Sequence, residues 1–375
     1  MANIEPAGRP EVAVFYFPSW HADPRNDRWK HPGFTEWELV QAARPRFAGH
    51  RQPLVPEWGY VDESDPDMLA RTTRVAAEHG VDAFLFDWYW YEDADFLNGA
   101  LDRGYLARPD QPVRFALHWA NHDWTDVFPA KVGEEPTLLA PAKVTPDEFV
   151  ALSNHLLERY LSHPRYWRVA GGAYFSWHQF GLFVDWMGGW AQVREVLADF
   201  RARARRVGVG ELHLTCVGGV SLTDGDGERL REAGVDSFTP YNWLHVLPLD
   251  QGLSVPYAQW RERAQRSWQT EPAQLSVPYA PNVTMGWDST ARVDQADELV
   301  VSTWPRLPVV VDNTAEQFGA AVQDAVRLAR DSGAPYLTVN AWNEWTEGSY
   351  LEPEVTTGYA YLHALRAATS ATGER

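Results

Sequence analysis

Cysteine and cationic side chains are the scarce components of this chain. Among 375 residues there is one cysteine, Cys216, so no disulfide can form within the chain. That usage fits a reducing compartment. Lys and Arg number 33 against 51 Asp and Glu, a formal charge of −18. A surface of that sign repels phosphate backbones and anionic membranes, so neither nucleic acid nor a membrane is an expected partner. No apolar run reaches the roughly 18–20 residues that a membrane span needs. The opening residues, MANIEPAGRPE, lack the basic and apolar regions of a secretory signal, so a cytoplasmic location is expected. Low-complexity tracts, Gly/Ser linkers and tandem repeats are absent, and residues 1–375 read as one domain.

Familiar cofactor and nucleophile signatures are missing too. There is no Walker motif, no dinucleotide fingerprint and no Gly-x-Ser-x-Gly elbow. Cys216 falls inside an apolar run and reads as a core residue. DGDGE (224–228) departs from a calcium loop at its sixth position, Arg229, and its twelfth, Val235. His118 and His122 are four apart, but on a strand running into a loop that spacing does not make a metal pair. No metal and no organic cofactor is expected.

Tryptophan, by contrast, is abundant, at 19 residues. An indole offers a large apolar face with one N–H at its edge. A sugar ring, with an apolar C–H face and a hydroxyl rim, suits such a platform. The alternative use of Trp is core packing, and many of the 19 are expected to serve it.

Eight short apolar runs recur along the chain: 12–19, 82–90, 113–121, 171–178, 212–219, 235–242, 274–283 and 336–344. Amphipathic stretches separate most of them. Thr145 followed by Pro146 opens one helix, Ser64-Asp65-Pro66 another, and Arg205, Arg206 and Gly208 close a third. The segment 92–104 has no clear pattern. The alternation predicts an α/β fold, a (β/α)8 TIM barrel with extended βα loops, in which 20–63 is the loop after the first strand. A doubly wound sheet would carry a Gly-rich turn where this chain has FYFPSWH.

Loops at the C-terminal ends of barrel strands build active sites. The polar and aromatic residues at those ends are therefore candidates to touch a substrate. They are Tyr16 and Trp20, then Asp87, Tyr89 and Trp90, then His118, Trp119, Asn121 and Trp124. Trp177, Tyr241 and Asn343 follow, with Glu36 and Trp37 on the long first loop. Trp20, Trp37, Trp90, Trp119 and Trp124 are the candidate aromatic platforms. The densest stretch is NAWNEWTEGSYLEP (340–353), where Glu344 and Glu347 sit three positions apart behind a buried run. Two acids in one site can be driven to different proton affinities, as a glycoside hydrolase needs for its acid and its base or nucleophile. The alternative is a solvated pair at a helix N-terminus.

The stretch NAWNEWTEGSYLEP resembles the C-terminal signature of WbsX-type proteins, relatives of glycoside hydrolase family 99. NDRWKHPGFTEWELV (26–40), GHRQPLVPEWGYVD (49–62), AEHGVDAFLFDWYW (77–90), FALHWANHDW (115–124) and GWDSTAR (286–292) resemble the group's other signatures, in order. The last of these adds Trp287, Asp288 and Arg292 to the candidate substrate contacts. The resemblance spans about residues 12–365. It implies a (β/α)8 barrel and a retaining enzyme for an oligo- or polysaccharide, of α-manno type in family 99. It also implies a route through a 1,2-anhydro sugar, with Glu344 as base at the 2-hydroxyl and Glu347 as acid/base. Two stretches depart from the pattern: WANHDW stands where related chains tend to read WANENW, and WDSTAR where they tend to read WDNTPR. Sugar and linkage are therefore left open. A glycosyltransferase of polysaccharide biosynthesis and an inactive carbohydrate-binding barrel are the alternatives. The first lacks an evident basic cradle for a nucleotide sugar. The second has no reason to keep both acids.

Overall fold

The computed structural model describes residues 9–370. Its centre is a sheet of eight parallel strands. These are β1 (Glu11–Tyr16), β2 (Ala83–Tyr91), β3 (Arg114–Trp119), β4 (Gly172–Trp177), β5 (Leu212–Cys216), β6 (Ser237–Phe238), β7 (Asn282–Thr284) and β8 (Tyr336–Asn340). Each coincides with one of the eight apolar runs. The lateral order is β6-β5-β4-β3-β2-β1-β8-β7. The ring closes where Phe238 N–H donates to the Pro278 carbonyl (2.9 Å) and Ala280 N–H donates to the Phe238 carbonyl (2.8 Å). The result is the (β/α)8 barrel that the alternation predicts. The closing seam is narrow for a local reason: Pro278 and Pro281 lack N–H groups, so the run 274–283 yields a regular strand only from Asn282.

Helices follow every strand, at Pro66–Glu78, Ala100–Tyr105, Pro146–Leu156, Trp190–Arg206, Asp226–Ala233, Tyr257–Thr270, Ala315–Ser332 and Ala360–Ser370. Thr145 and Glu148 form a reciprocal capping box, and Asp65 caps the helix that Pro66 opens. The unpatterned segment after β2 folds back as a short antiparallel strand, Ala94–Phe96, before its helical stretch. A further helix, Phe180–Met187, was not evident in the sequence, because it is apolar on most faces and lacks a cap signal.

Below the mouth, the interior is tied by hydroxyl contacts between strands. Ser237 meets Tyr336 (2.9 Å), and Thr239 meets Thr338 (2.9 Å). Above the barrel sits a second apolar cluster that includes Trp20, Trp37, Leu54, Tyr91, Trp345 and Tyr350. It fastens the long loop after β1 over the C-terminal face. Among the described residues no helix is long and apolar enough to cross a membrane.

Gly181 shows how tightly the helix after β4 packs against the turn after β5. A Cβ there would lie 2.0 Å from the Gly219 carbonyl oxygen, and Gly181 N–H donates to that same oxygen (2.9 Å). Gly181→Ala must push the turn away, at a cost of about 2 kcal/mol. We expect a lower urea midpoint with an unchanged slope.

Candidate active site

The strand ends open into a cavity of about 910 Å³. Chain alternation decides who faces it. On β2, Asp87 and Tyr89 line the cavity. Trp88 and Trp90, of opposite parity, turn outward beside His155. On β3, His118 turns inward beside Phe15 and Tyr241, while Trp119 packs against Phe149 and Phe183. On β4, Trp177 packs against Phe180 and Phe183, and His178 just beyond it lines the cavity.

Several candidate contacts therefore stand away from the cavity lining. Tyr16 points to the helix side and donates to the buried Glu63 (2.8 Å). Trp20 and Trp37 stack on each other, with ring centroids 4.0 Å apart, and pin the first loop. Trp90, Trp119 and Trp177 are outward-facing core residues. His118 lies beneath the lining, held by Ser176 Oγ (2.8 Å) and His178 (3.3 Å). Asn121 locks two loops together, donating to the Gln179 carbonyl and accepting from Gln179 N–H (both 2.8 Å). Asn343 does the same with Phe17, accepting from its N–H (2.8 Å) and donating to its carbonyl (2.9 Å). Asp288 is held by His50 (2.8 Å) and Gln52 (2.6 Å), outside the main cavity. As platforms for a ligand, Trp20, Trp37, Trp90 and Trp119 are thus replaced by rings that do line the cavity. Those are Trp124, Trp287 and Trp304, with Phe17 and Phe128.

Glu36, Asp87, Tyr89, Trp124, Tyr241, Trp287, Arg292, Glu344 and Glu347 are brought together around the cavity. Glu344 follows β8 in a two-residue pairing, Asn343–Glu344 with Ser349–Tyr350. Between these arms, Trp345–Glu347 makes one tight turn, closed by Gly348 in the left-handed region (φ 62°). A Cβ at Gly348 would meet Asp288 Cβ at 2.7 Å, and Asp288 N–H donates to the Glu347 carbonyl (2.6 Å). The anchored Asp288 thus fixes the turn that presents Glu347. Four residues on, it also places Arg292.

Arg292 is the centre of the charge pattern. Its Nη1 donates to Glu347 Oε1 in a short contact, and its Nη2 donates to Glu36 Oε2 (3.2 Å). The same Nη2 lies 3.7 Å from Glu344 Oε2. Thr346 also donates to Glu36 (2.6 Å), and Trp304 N–H reaches Glu347 (3.4 Å). The rings of Phe128, Phe17 and Trp304 surround the guanidinium at 4.7, 5.4 and 6.0 Å. Tyr241 hydroxyl lies 2.8 Å from Glu344 Oε1 and 2.9 Å from Asp87 Oδ2.

Burial holds the Glu344 carboxyl well above the usual carboxylate range; the Glu347 charge adds to this and Arg292 opposes it. Burial also raises Glu347, against the pull of Arg292. Asp87 is raised well above its ordinary value by burial. The nearby histidines go the other way. Burial and the neighbouring His122 push His178 down to about 3, so it is neutral at the cavity wall. Arg292 is the cavity's guanidinium, set against five lining carboxyls: Glu36, Asp87, Glu271, Glu344 and Glu347. Such a site can hold and release protons next to a polyhydroxyl ligand. Among the described residues, no group of three or more His, Cys, Asp or Glu is placed to hold a metal ion.

Sequence reasoning missed Trp304, which is 45% exposed at the mouth and sits in a loop without a motif. It also missed Phe128, on the 120–136 loop. His122 and His178 were visible at strand ends, and parity would have aimed His178 inward. Most of the 19 Trp are buried, a larger structural share than the sequence suggested.

The model of the WbsX glycosyltransferase family matches residues 12–365, and the chain belongs to that family. It is 30% identical over 368 residues to the Xanthomonas campestris pv. campestris protein WxcX, described as uncharacterized. That match covers 95% of this chain and 49% of the relative. The chain thus spans about half the length of the curated relatives it matches. Among solved structures, a GH99 endo-alpha-mannosidase from Bacteroides thetaiotaomicron is similar at TM-score 0.59 and 14% identity, over 96% of each chain. A glycoside hydrolase-like protein is similar at TM-score 0.63 and 16% identity, over 98% of this chain and 96% of the other. At these identities the likeness is one of fold, that of a glycoside hydrolase-like barrel.

Below the turn that carries Glu347, Trp345 stacks on Tyr350 and donates to Glu352 Oε2 (2.8 Å). Burial pushes Glu352 up to about 7. An unfolded glutamate titrates near ~4.3, so the folded state binds the extra proton between those values. Stability from this group is therefore full below ~4.3 and falls as pH rises to about 7, by roughly 4 kcal/mol in all. Glu352→Gln keeps the acceptor for Trp345 and removes that loss. Relative to wild type, its unfolding free energy should rise by about this amount between pH 4 and pH 8, as followed by urea titration.

Proposed function

We propose that this protein cleaves glycosidic bonds in a neutral oligo- or polysaccharide, with Glu344 and Glu347 as the reacting pair. The observation that carries the reading is the buried Glu344–Arg292–Glu347 arrangement in the wall of the cavity. Its two carboxyls differ in their partners. Glu347 is bound directly by Arg292 and faces the Trp304 edge at the mouth. Glu344 lies deeper, bonded to Tyr241. Different environments set the two carboxyls apart, as an acid and a base require; the Arg292 contact holds the resting Glu347 carboxylate, so its acid role begins when a bound glycan displaces that contact.

In this scheme Glu344, ionised, takes the proton of the sugar 2-hydroxyl. The freed O2 electron pair attacks C1 from the face opposite the leaving group. Glu347 protonates the departing oxygen, and a 1,2-anhydro sugar results. Glu347, now ionised, takes a proton from water as that water attacks C1. The C1–O2 bond breaks and O2 recovers its proton from Glu344. Two displacements retain the configuration. An α-manno unit suits this route, because its O2 and leaving group are both axial and opposed. Trp124, Trp287 and Trp304 supply faces for sugar C–H groups, and Asp87, Tyr89 and Glu36 supply hydroxyl partners.

The family description names glycosyltransfer, so transfer is the second reading. A nucleotide sugar brings a diphosphate, which needs unpaired positive charge. Arg292 is already shared among three carboxylates, and the other charged groups of the lining are acidic. This charge balance favours a neutral glycan over a nucleotide donor.

Glu344→Gln and Glu347→Gln should each lower turnover by about 10³-fold or more with the far-UV spectrum near wild type; Glu347→Gln, which removes a direct Arg292 partner, should also lower the unfolding midpoint. The assay is reducing-end release from α-linked manno- and rhamno-oligosaccharides and bacterial polysaccharides, with and without nucleotide sugars. Release by wild type alone supports hydrolysis. Chain extension that requires a nucleotide sugar transfers the reading to glycosyltransfer. Undiminished release by either variant removes that residue from the reacting pair.

A further inference from the structure

We infer that Asp87, Tyr241 and Glu344 share one extra proton, held on Asp87, which keeps Glu344 ionised as the reacting base. The argument is one of donors and acceptors. A phenol hydroxyl carries one hydrogen. Tyr241 Oη nonetheless lies at hydrogen-bond distance from two carboxyl oxygens, 2.9 Å from Asp87 Oδ2 and 2.8 Å from Glu344 Oε1. With both carboxyls ionised, one short contact would set lone pair against lone pair in a buried site, without a proton between. A carboxyl proton on one side turns both contacts into hydrogen bonds: acid to phenol oxygen, phenol O–H to carboxylate.

The surroundings decide which side holds it. Glu344 has the Arg292 guanidinium 3.7 Å from its other oxygen, which stabilises its anion. Each carboxyl has one oxygen buried without a hydrogen-bond partner, Asp87 Oδ1 and Glu344 Oε2, but of the two it is Glu344 that forms an ion pair with Arg292. The groups facing the trio are Glu347 and Glu36, both on Arg292, Tyr89 on the same strand as Asp87, and the histidines on β3 and after β4. His118 and His178 lie against the Tyr241 ring rather than its hydroxyl, and burial keeps both neutral. They supply no second cation, so the trio keeps a proton, and the guanidinium beside Glu344 leaves that proton to Asp87.

This assignment rests on the proposed chemistry for its role, not for its existence. Asp87 is a positioning residue: it orients the Tyr241 hydrogen toward Glu344 and does not reach the sugar proton itself. During the reaction that orientation persists. Glu344 gains the O2 proton on its carboxylate and returns it when water opens the ring, while the Asp87 proton stays in place.

The test is infrared difference spectroscopy of the full chain at pH 7, read at the carbonyl stretch of protonated carboxyl groups and its shift in D2O. Glu63 and Glu352 also contribute to this band, so each variant is read as its difference from wild type: one D2O-shifted component should be kept in Glu344→Gln and missing in Asp87→Asn, whose amide N–H still donates to Tyr241. A component lost in Glu344→Gln but kept in Asp87→Asn places the proton on Glu344 and overturns the assignment. No component lost in either variant overturns the sharing. The kinetic arm is the kcat/KM profile of Tyr241→Phe, whose acid limb should move up by about one pH unit, roughly tenfold in rate below the limb. An unmoved limb would show that the phenol does not tune the base. If no glycan in the panel is cleaved, the proposed function fails while the spectra still locate the proton.

Discussion

One buried guanidinium organises this molecule. Arg292 sits among carboxylates that reach it from opposite ends of the chain, Glu36 after β1 and Glu344 and Glu347 after β8. An unpaired charge at that depth would be costly, and three acids without a cation would be costlier still. The pairing therefore fixes where three loops can lie. The 17–65 loop must deliver Glu36, the 285–308 loop must deliver Arg292, and the turn after β8 must deliver both glutamates. The remaining packing serves that convergence. Trp20 on Trp37 and Trp37 on Trp345 clamp the first loop to the turn, and His50 and Gln52 clamp it to Asp288.

The arrangement also explains how tryptophan is spent. A mouth built from long loops has few backbone ladders to hold it, so its rigidity has to come from side chains. Large flat rings supply area with few rotatable bonds. In this chain most indoles act as braces, and Trp124, Trp287 and Trp304 reach the cavity. The same residue type thus fills two roles that composition alone cannot separate.

Much of the fold was legible because its signals are local. Eight apolar runs, a Thr-Pro cap and basic helix ends mark a barrel whatever the loops do. That Glu344 and Glu347 stand together was legible for another reason: they lie in one motif, so no tertiary knowledge was needed to bring them together. The errors on the strands share one cause. At each strand end the sequence shows alternating residues, and the reading took both parities as candidates. Asp87 and Tyr89 face the cavity, whereas Trp90, Trp119 and Trp177 belong to the other face. Tyr16 and Phe17 divide in the same way, and the candidate chosen was the outward one. A period of two, anchored on Asp87, would have sorted these strand residues. Trp304 and Phe128 were beyond that rule, since their loops meet Arg292 only in the folded chain.

Charge balance links the stability of the site to its chemistry. Arg292 can compensate two of the nearby carboxylates by direct contact, Glu36 and Glu347. Glu344, at 3.7 Å, is compensated in part, and Asp87 forms no ion pair with it. A surplus of buried acid is resolved by retaining protons, so the surroundings that make the site expensive to fold are those that keep a carboxyl protonated at neutral pH. A second lysine or arginine would relieve the cost; in the proposed reaction it would also hold both glutamates ionised and leave no acid to protonate a leaving oxygen. The scarcity of cations noted at the level of composition is thus matched inside the cavity. There Arg292 is set against five lining carboxyls, two of them only three positions apart.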